Sequence, residues 1–196
     1  MPTFLSSSLR FWSIITFSLA LAACDGAPKF KSTDITGAEY GRSLELPDTS
    51  GRVRRLEDFR GKAVVLFFGF THCPDVCPTT LADLATVMKT LGPDAERVQV
   101  LFITVDPERD TPGELAKYVG AFDPRFLALR GDLAATQRVA KDFKIYFEKR
   151  KQGDSYTVDH SAQSYVIDPQ GRLRLLVRHD RIAQDLAPDL QAILRG

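Results

Sequence analysis

The sequence predicts an α/β domain with a central mixed sheet flanked by helices. Three observations predict it. "AVVLFFGF" (63–70) is a continuous apolar run of strand length, the pattern of a strand buried on both faces, and "VQVLFITVD" (98–106) reads as another buried strand. Segments with apolar residues at helical spacing alternate with such strands, which supplies helices to cover the sheet. Finally, "QSYVIDPQGRLRLLVRH" (163–179) breaks at an Asp-Pro-Gln-Gly turn, so a hairpin joins the other strands.

The elements follow in order. "LELPDTSGRVRRL" (44–56) reads as two short strands about a Thr-Ser-Gly turn, an N-terminal β-hairpin ahead of the sheet. The central strand at 63–70 runs straight into "THCPDVCP" (71–78). Leu81, Leu84, Ala85, Met88 and Leu91 then share helical spacing, and Gly92 stops that helix. After the second strand, Thr111 suits an N-cap and Pro112 a first helical position. "FLALRG" (126–131) is a short strand, and Asp132 caps a helix over "DLAATQRVAKDF". "IYFEKRKQGDSYTVDHS" (145–161) is a charged excursion or hairpin. The last hairpin leads to an amphipathic helix over 180–196, with Pro188 expected to bend it. Ligand sites in such sheets form at the carboxyl ends of strands. The cysteine loop sits at such an end.

The N-terminus has a different character. Arg10 is the only charged side chain in the first 24 residues, and Phe11 to Ala23 is an apolar run of 13. As a helix that run would span roughly 20 Å, short of the about 30 Å of a bilayer core. It suits the core of a signal peptide over residues 1–23. "LAAC" (21–24) resembles the lipobox of bacterial lipoproteins, in which the cysteine becomes the acylated N-terminus. More than one acyl chain gives stable anchoring. Asp25 resembles the signal that retains such lipoproteins on the inner membrane. The expectation is a lipid on Cys24, a polar linker over 24–42 and one domain over 43–196, on the periplasmic side of a bacterial inner membrane.

Lys plus Arg number 26 against 25 Asp plus Glu, a net charge of +1. That balance excludes a dedicated nucleic-acid binder, which needs a basic field to neutralise phosphates.

With Cys24 lipidated, Cys73 and Cys77 are the cysteines left to the domain. An exported compartment permits a disulfide between them. Residues four apart share one helix face, and a helix N-terminus favours thiolate over thiol. Oxidised, the pair can close a small ring; reduced, it offers two soft donors. Spacing alone does not choose between these. Structural zinc wants four protein donors, whereas copper(I) is selected by a few soft thiolates. Two thiolates and one imidazole form a sufficient set. The chain has three histidines. His72 adjoins Cys73 and reads as solvent-facing or supporting, and His179 as surface. For His160, in a loop before a strand, spacing alone also favours the surface.

Three motifs change that reading. "FGFTHCPDVCP", "TVDPERDTP" and "DHSAQSYVIDPQG" occur in this order, and with them the chain resembles the Sco/SenC family of copper chaperones from about Leu44 to Leu194. The resemblance implies a thioredoxin-like fold and a role in assembling the binuclear copper centre of cytochrome c oxidase. It implies copper ligands at Cys73, Cys77 and His160, and partners in the copper-accepting oxidase subunit and an upstream copper donor or thiol reductant. Redox enzymes of the thioredoxin-like fold place a cis-proline in the loop before the strand "QSYVI" (163–167). No proline stands between Pro124 and Pro169 here, and His160 occupies that stretch. Asp106 is expected to orient a ligand, tune the metal, or serve the turn into the helix with Asp110 and Thr111. Asp159 invites a supporting role beside His160.

Copper delivery therefore stands against a thiol–disulfide reductase acting on the oxidase subunit through the redox-active pair Cys73 and Cys77. A peroxidase is disfavoured. A peroxiredoxin-type site needs Thr three residues before its cysteine, and Phe70 and Pro74 stand there instead. A glutathione-peroxidase-type site uses a tryptophan, and Trp12 lies in the signal. A purely structural disulfide does not account for a pair at a strand's carboxyl end, where exposure is expected.

Overall fold

A computed structural model describes residues 29–196. The expected signal peptide and the lipid-bearing Cys24 lie outside the described residues. Among those described, no helix is long and apolar enough to cross a membrane.

The sheet is built on β4 (Ala63–Gly69), buried at every residue. It pairs in parallel with β5 (Val98–Thr104), which pairs in parallel with β6 (Leu127–Leu129). On its other side β4 pairs antiparallel with β9 (Ser164–Ile167), and β9 with β10 (Leu173–Val177). The edge is β1 (Thr33–Asp34), so the order is β1-β10-β9-β4-β5-β6. Parallel neighbours need crossovers, and α1 (Val76–Leu91) and α2 (Pro112–Gly120) supply them. Capping is as expected: the Thr111 hydroxyl accepts from the Glu114 amide at 3.3 Å. Asp132 accepts from the Ala135 amide at 2.7 Å to start α3 (Leu133–Asp142).

Both faces are covered. Phe67 and Phe102 meet at 6.0 Å on the face that carries Cys77 of α1 and Tyr118 of α2. Phe68 turns the other way, to Phe143 after α3 and, through it, Tyr165. The closing helix α4 (Ile182–Arg195) packs along α1 and runs unbroken through Pro188. Two small hairpins form sheets of their own, the first bridged to β6 through Asp48 and Leu129. One is the N-terminal β2 (Glu45–Pro47) with β3 (Val53–Arg55), as expected. The other resolves the charged stretch as a hairpin, β7 (Phe147–Gln152) with β8 (Ser155–His160).

The stretch expected as a linker differs from the reading. From Lys31 onward it docks on the domain. The Lys31 and Ser32 amides each donate to the Asp189 carboxylate at 2.8 Å. Thr33 and Asp34 then pair with β10. The Arg42 and Ser43 amides donate to Asp142 at 2.8 Å. Backbone capture by buried or half-buried carboxylates orders a polar segment that shows no apolar periodicity of its own.

Candidate metal centre

The chain leaves β4 at Gly69 and turns through Phe70–Asp75 into α1. The Cys73 amide donates to the Phe70 carbonyl at 3.3 Å, closing that turn. Asp75, at the N-cap position, makes no side-chain cap. Instead the Cys77 amide, in the first turn, points at Cys73 Sγ from 3.4 Å. An orphan helix donor is thus satisfied by sulfur. Cys77 is fully buried and Cys73 partly so, and both are free. The pair is therefore not exposed as expected, because Cys77 packs against Gly69 at the end of β4 and beside the Phe102 and Phe67 rings.

Gly69 permits this. A Cβ there would stand 2.9 Å from Cys77 Sγ and 2.8 Å from the Phe102 ring. No side chain larger than hydrogen lets α1 approach so closely.

His160 ends β8 and delivers its ring to the sulfurs. Nδ1 lies 2.9 Å from the Ser161 carbonyl, which only accepts, so Nδ1 donates. Nε2 is left facing Cys77 Sγ at 3.5 Å. This support fixes the orientation of the ring, as partners of ligating histidines commonly do. Phe67 and Phe70 meet the imidazole edge-on, at 6.3 and 5.8 Å between centroids, and form an apolar wall.

The two sulfurs differ. The Cys77 side chain, donating to Cys73, pulls the Cys73 thiol down from 9.0 to about 4. Burial opposes this, while His160 and the Asp75 and Cys77 amides add to it. Cys77 is pushed far up, by that same bond and by its burial. One thiolate thus sits beside one thiol and one imidazole.

The three donor atoms lie within 4.8 Å of one another. Atoms bonded to one ion at about 2.3 Å are at most about 4.6 Å apart, so the set fits a single ion with small adjustment. Two sulfurs and one imidazole suit a soft metal better than a hard one.

The other expected residues fall elsewhere. His72 is half exposed, with Nδ1 3.0 Å from the Thr71 hydroxyl. His179 is exposed. Asp159 points outward to Arg150 at 3.1 Å and gives His160 no support, because alternation along β8 sends the two side chains to opposite faces. Asp106 is fully buried but touches no ligand; it accepts from Arg109 Nε at 2.5 Å and from the Tyr156 hydroxyl at 2.9 Å. Asp110 accepts from both the amide and the hydroxyl of Thr71, the latter at 2.6 Å, which ties the cysteine loop to the turn after β5. Sequence reasoning missed Gly69, Arg109 and Tyr156. The alternation Tyr156, Val158, His160 was the available sign that one face of a strand leads to the imidazole.

The SCO1/SenC family model matches residues 32–195. Among curated relatives, the mitochondrial SCO2 homolog of Bos taurus is 45% identical over 132 residues, covering 65% of this chain and 50% of that protein. The chain spans about half the length of such mitochondrial relatives. Among solved structures, Bradyrhizobium japonicum ScoI with copper bound is 38% identical with a TM-score of 0.71, over 77% of this chain and 97% of that one. The apo Sco1 of Thermus thermophilus is 41% identical with a TM-score of 0.75, over 84% and 96% of the respective chains.

Proposed function

The chain belongs to the SCO1/SenC family, and from that premise we propose that it carries copper to cytochrome c oxidase during assembly of the enzyme. Cys73, Cys77 and His160 hold the ion, and the copper-accepting oxidase subunit receives it. The single observation behind this reading is the convergence of two sulfurs and one imidazole nitrogen within 4.8 Å. Copper-bound ScoI of Bradyrhizobium japonicum supports it by similarity. The decisive experiment is competitive copper(I) titration of the reduced protein against a chromophoric chelator. His160→Ala is expected to weaken binding by more than ~10-fold. Equal affinity in the variant would remove the imidazole from the site.

A second reading, thiol–disulfide reduction of the acceptor subunit, is favoured by the contrast between Cys73 at about 4 and the raised, buried Cys77. An exchange protein needs one such attacking thiolate. Measuring the reduction potential of the pair tests it: a value too low for exchange with partner thiols counts against it.

We place the domain on the periplasmic face of a bacterial inner membrane, tethered through lipid on Cys24. The "LAAC" motif supports this. Incorporation of labelled fatty acid by the full chain, and its loss in Cys24→Ala, tests the anchor.

A further inference from the structure

The turn between β5 and α2 carries a cluster that the proposed ligand set does not use. Arg109 lies with its guanidinium 3.8 Å from the centre of the Tyr156 ring. Its Nε donates to Asp106, and its Nη1 to the Tyr156 carbonyl at 2.9 Å. Asp106 in turn accepts from the Tyr156 hydroxyl at 2.9 Å. Ring, carbonyl and hydroxyl of one tyrosine are therefore all held by one turn. Lys149, on the facing strand, covers the same ring at 4.7 Å and pairs with Glu108 at 2.6 Å.

Tyr156 stands four residues before His160 on β8, with its side chain on the same face. A second route is shorter. Arg109 also lies 5.9 Å from the Phe70 ring, and Phe70 meets the His160 ring edge-on at 5.8 Å. Both routes begin at Arg109 and end at the imidazole. The hairpin needs such an external hold, since β7 is exposed along nearly its whole length and two paired strands are marginal alone. Nη2 of Arg109 is buried without a hydrogen-bond partner.

Resting on the copper-binding reading, we propose that Arg109 is a positioning residue for the metal site, setting the His160 imidazole against the two sulfurs through Tyr156 and Phe70. The guanidinium fork and its stacking are both used. Lysine offers no planar fork and no plane to stack.

The test is a mutant cycle on the reduced protein. Arg109→Leu is expected to weaken copper(I) by ~10-fold or more and to change the sulfur-to-copper absorption of the copper(II) form. In a His160→Ala background the same substitution is expected to add no further loss, because its effect passes through that ring. Arg109→Lys should not restore binding. In the metal-free protein, the NMR signals of the His160 ring should move in Arg109→Leu and stay put in Asp189→Asn, a control on the distant N-terminal clasp. Tyr156→Phe keeps the stacked ring and loses the hydroxyl bond, so it carries the same comparison if Arg109→Leu does not fold. A folded variant with wild-type affinity, or losses that add in the double variant, overturns the proposal. If the wild type itself takes up no copper(I), the functional reading fails, and the metal-free ring signals still decide the positioning role.

Discussion

Nε2 of His160 lies 3.5 Å from Sγ of Cys77, although 83 residues separate the two. The contact joins a hairpin to the first turn of a buried helix, where the bond between the two cysteines and the burial of Cys77 make the sulfurs chemically unequal. Cys73, at about 4, is a thiolate at neutral pH, and Cys77 is a thiol. The thiolate is the reactive form, and its population falls only as pH drops through about 4. Alkylation of reduced protein, mapped by mass spectrometry, should therefore modify Cys73 with a midpoint near that pH. Cys77 should resist until the protein unfolds. A Cys73 midpoint near that of an ordinary thiol would refute the assignment.

Gly69→Ala should damage the site while leaving Cys73, Cys77 and His160 in place in the sequence. Its methyl group would meet Cys77 Sγ at 2.9 Å and Phe102 at 2.8 Å. Overpacking of this kind costs about 1–3 kcal/mol. Urea denaturation should show that loss in the metal-free, reduced protein. Copper(I) titration should show weakened binding as α1 is displaced from β4.

Asp110 is fully buried and accepts from the Thr71 and Thr104 hydroxyls at 2.6 and 2.5 Å. Asp110→Asn presents donors where donors already point. The expected cost is about 1–3 kcal/mol. Amide hydrogen exchange at Thr71, whose N–H also points at this carboxylate, should rise more than exchange in β5. Unchanged protection would mean that the loop is held by other contacts.

Asp189→Asn should free the N-terminal segment. The Lys31 and Ser32 amides both end on this carboxylate at 2.8 Å, and bonds to a charged acceptor contribute about 1.5–3 kcal/mol each. Limited proteolysis should cut within residues 29–34 of the variant far faster than in the wild type. The sulfurs and His160 should keep their copper affinity.

The sheet was legible because β4 and β5 carry nothing but apolar or small residues over most of their length, and a central strand leaves few other readings for such runs. The cysteine loop followed from its place after β4. The place of His160 beside the cysteines was not legible from spacing, since a strand-end histidine in a charged stretch resembles surface. The expectation came from the resemblance, and the fold puts the ring beside the sulfurs. Strand β1 was hidden for another reason: its docking depends on Asp189, 157 residues away from Ser32. Asp106 was open between ligand support and turn formation. Its bond to Arg109 stays within one turn, but its bond to Tyr156, 50 residues on, is tertiary and leaves no local trace.

The imidazole rides on a ribbon whose outer strand, β7, meets water at five of its six residues, while both thiols are rooted against the core. Exposed ribbons open at lower free energy than the sheet beneath them. On the proposed reading, His160 would hold the ion from the side that opens more readily, and Cys73 and Cys77 would hold it from the side of the core.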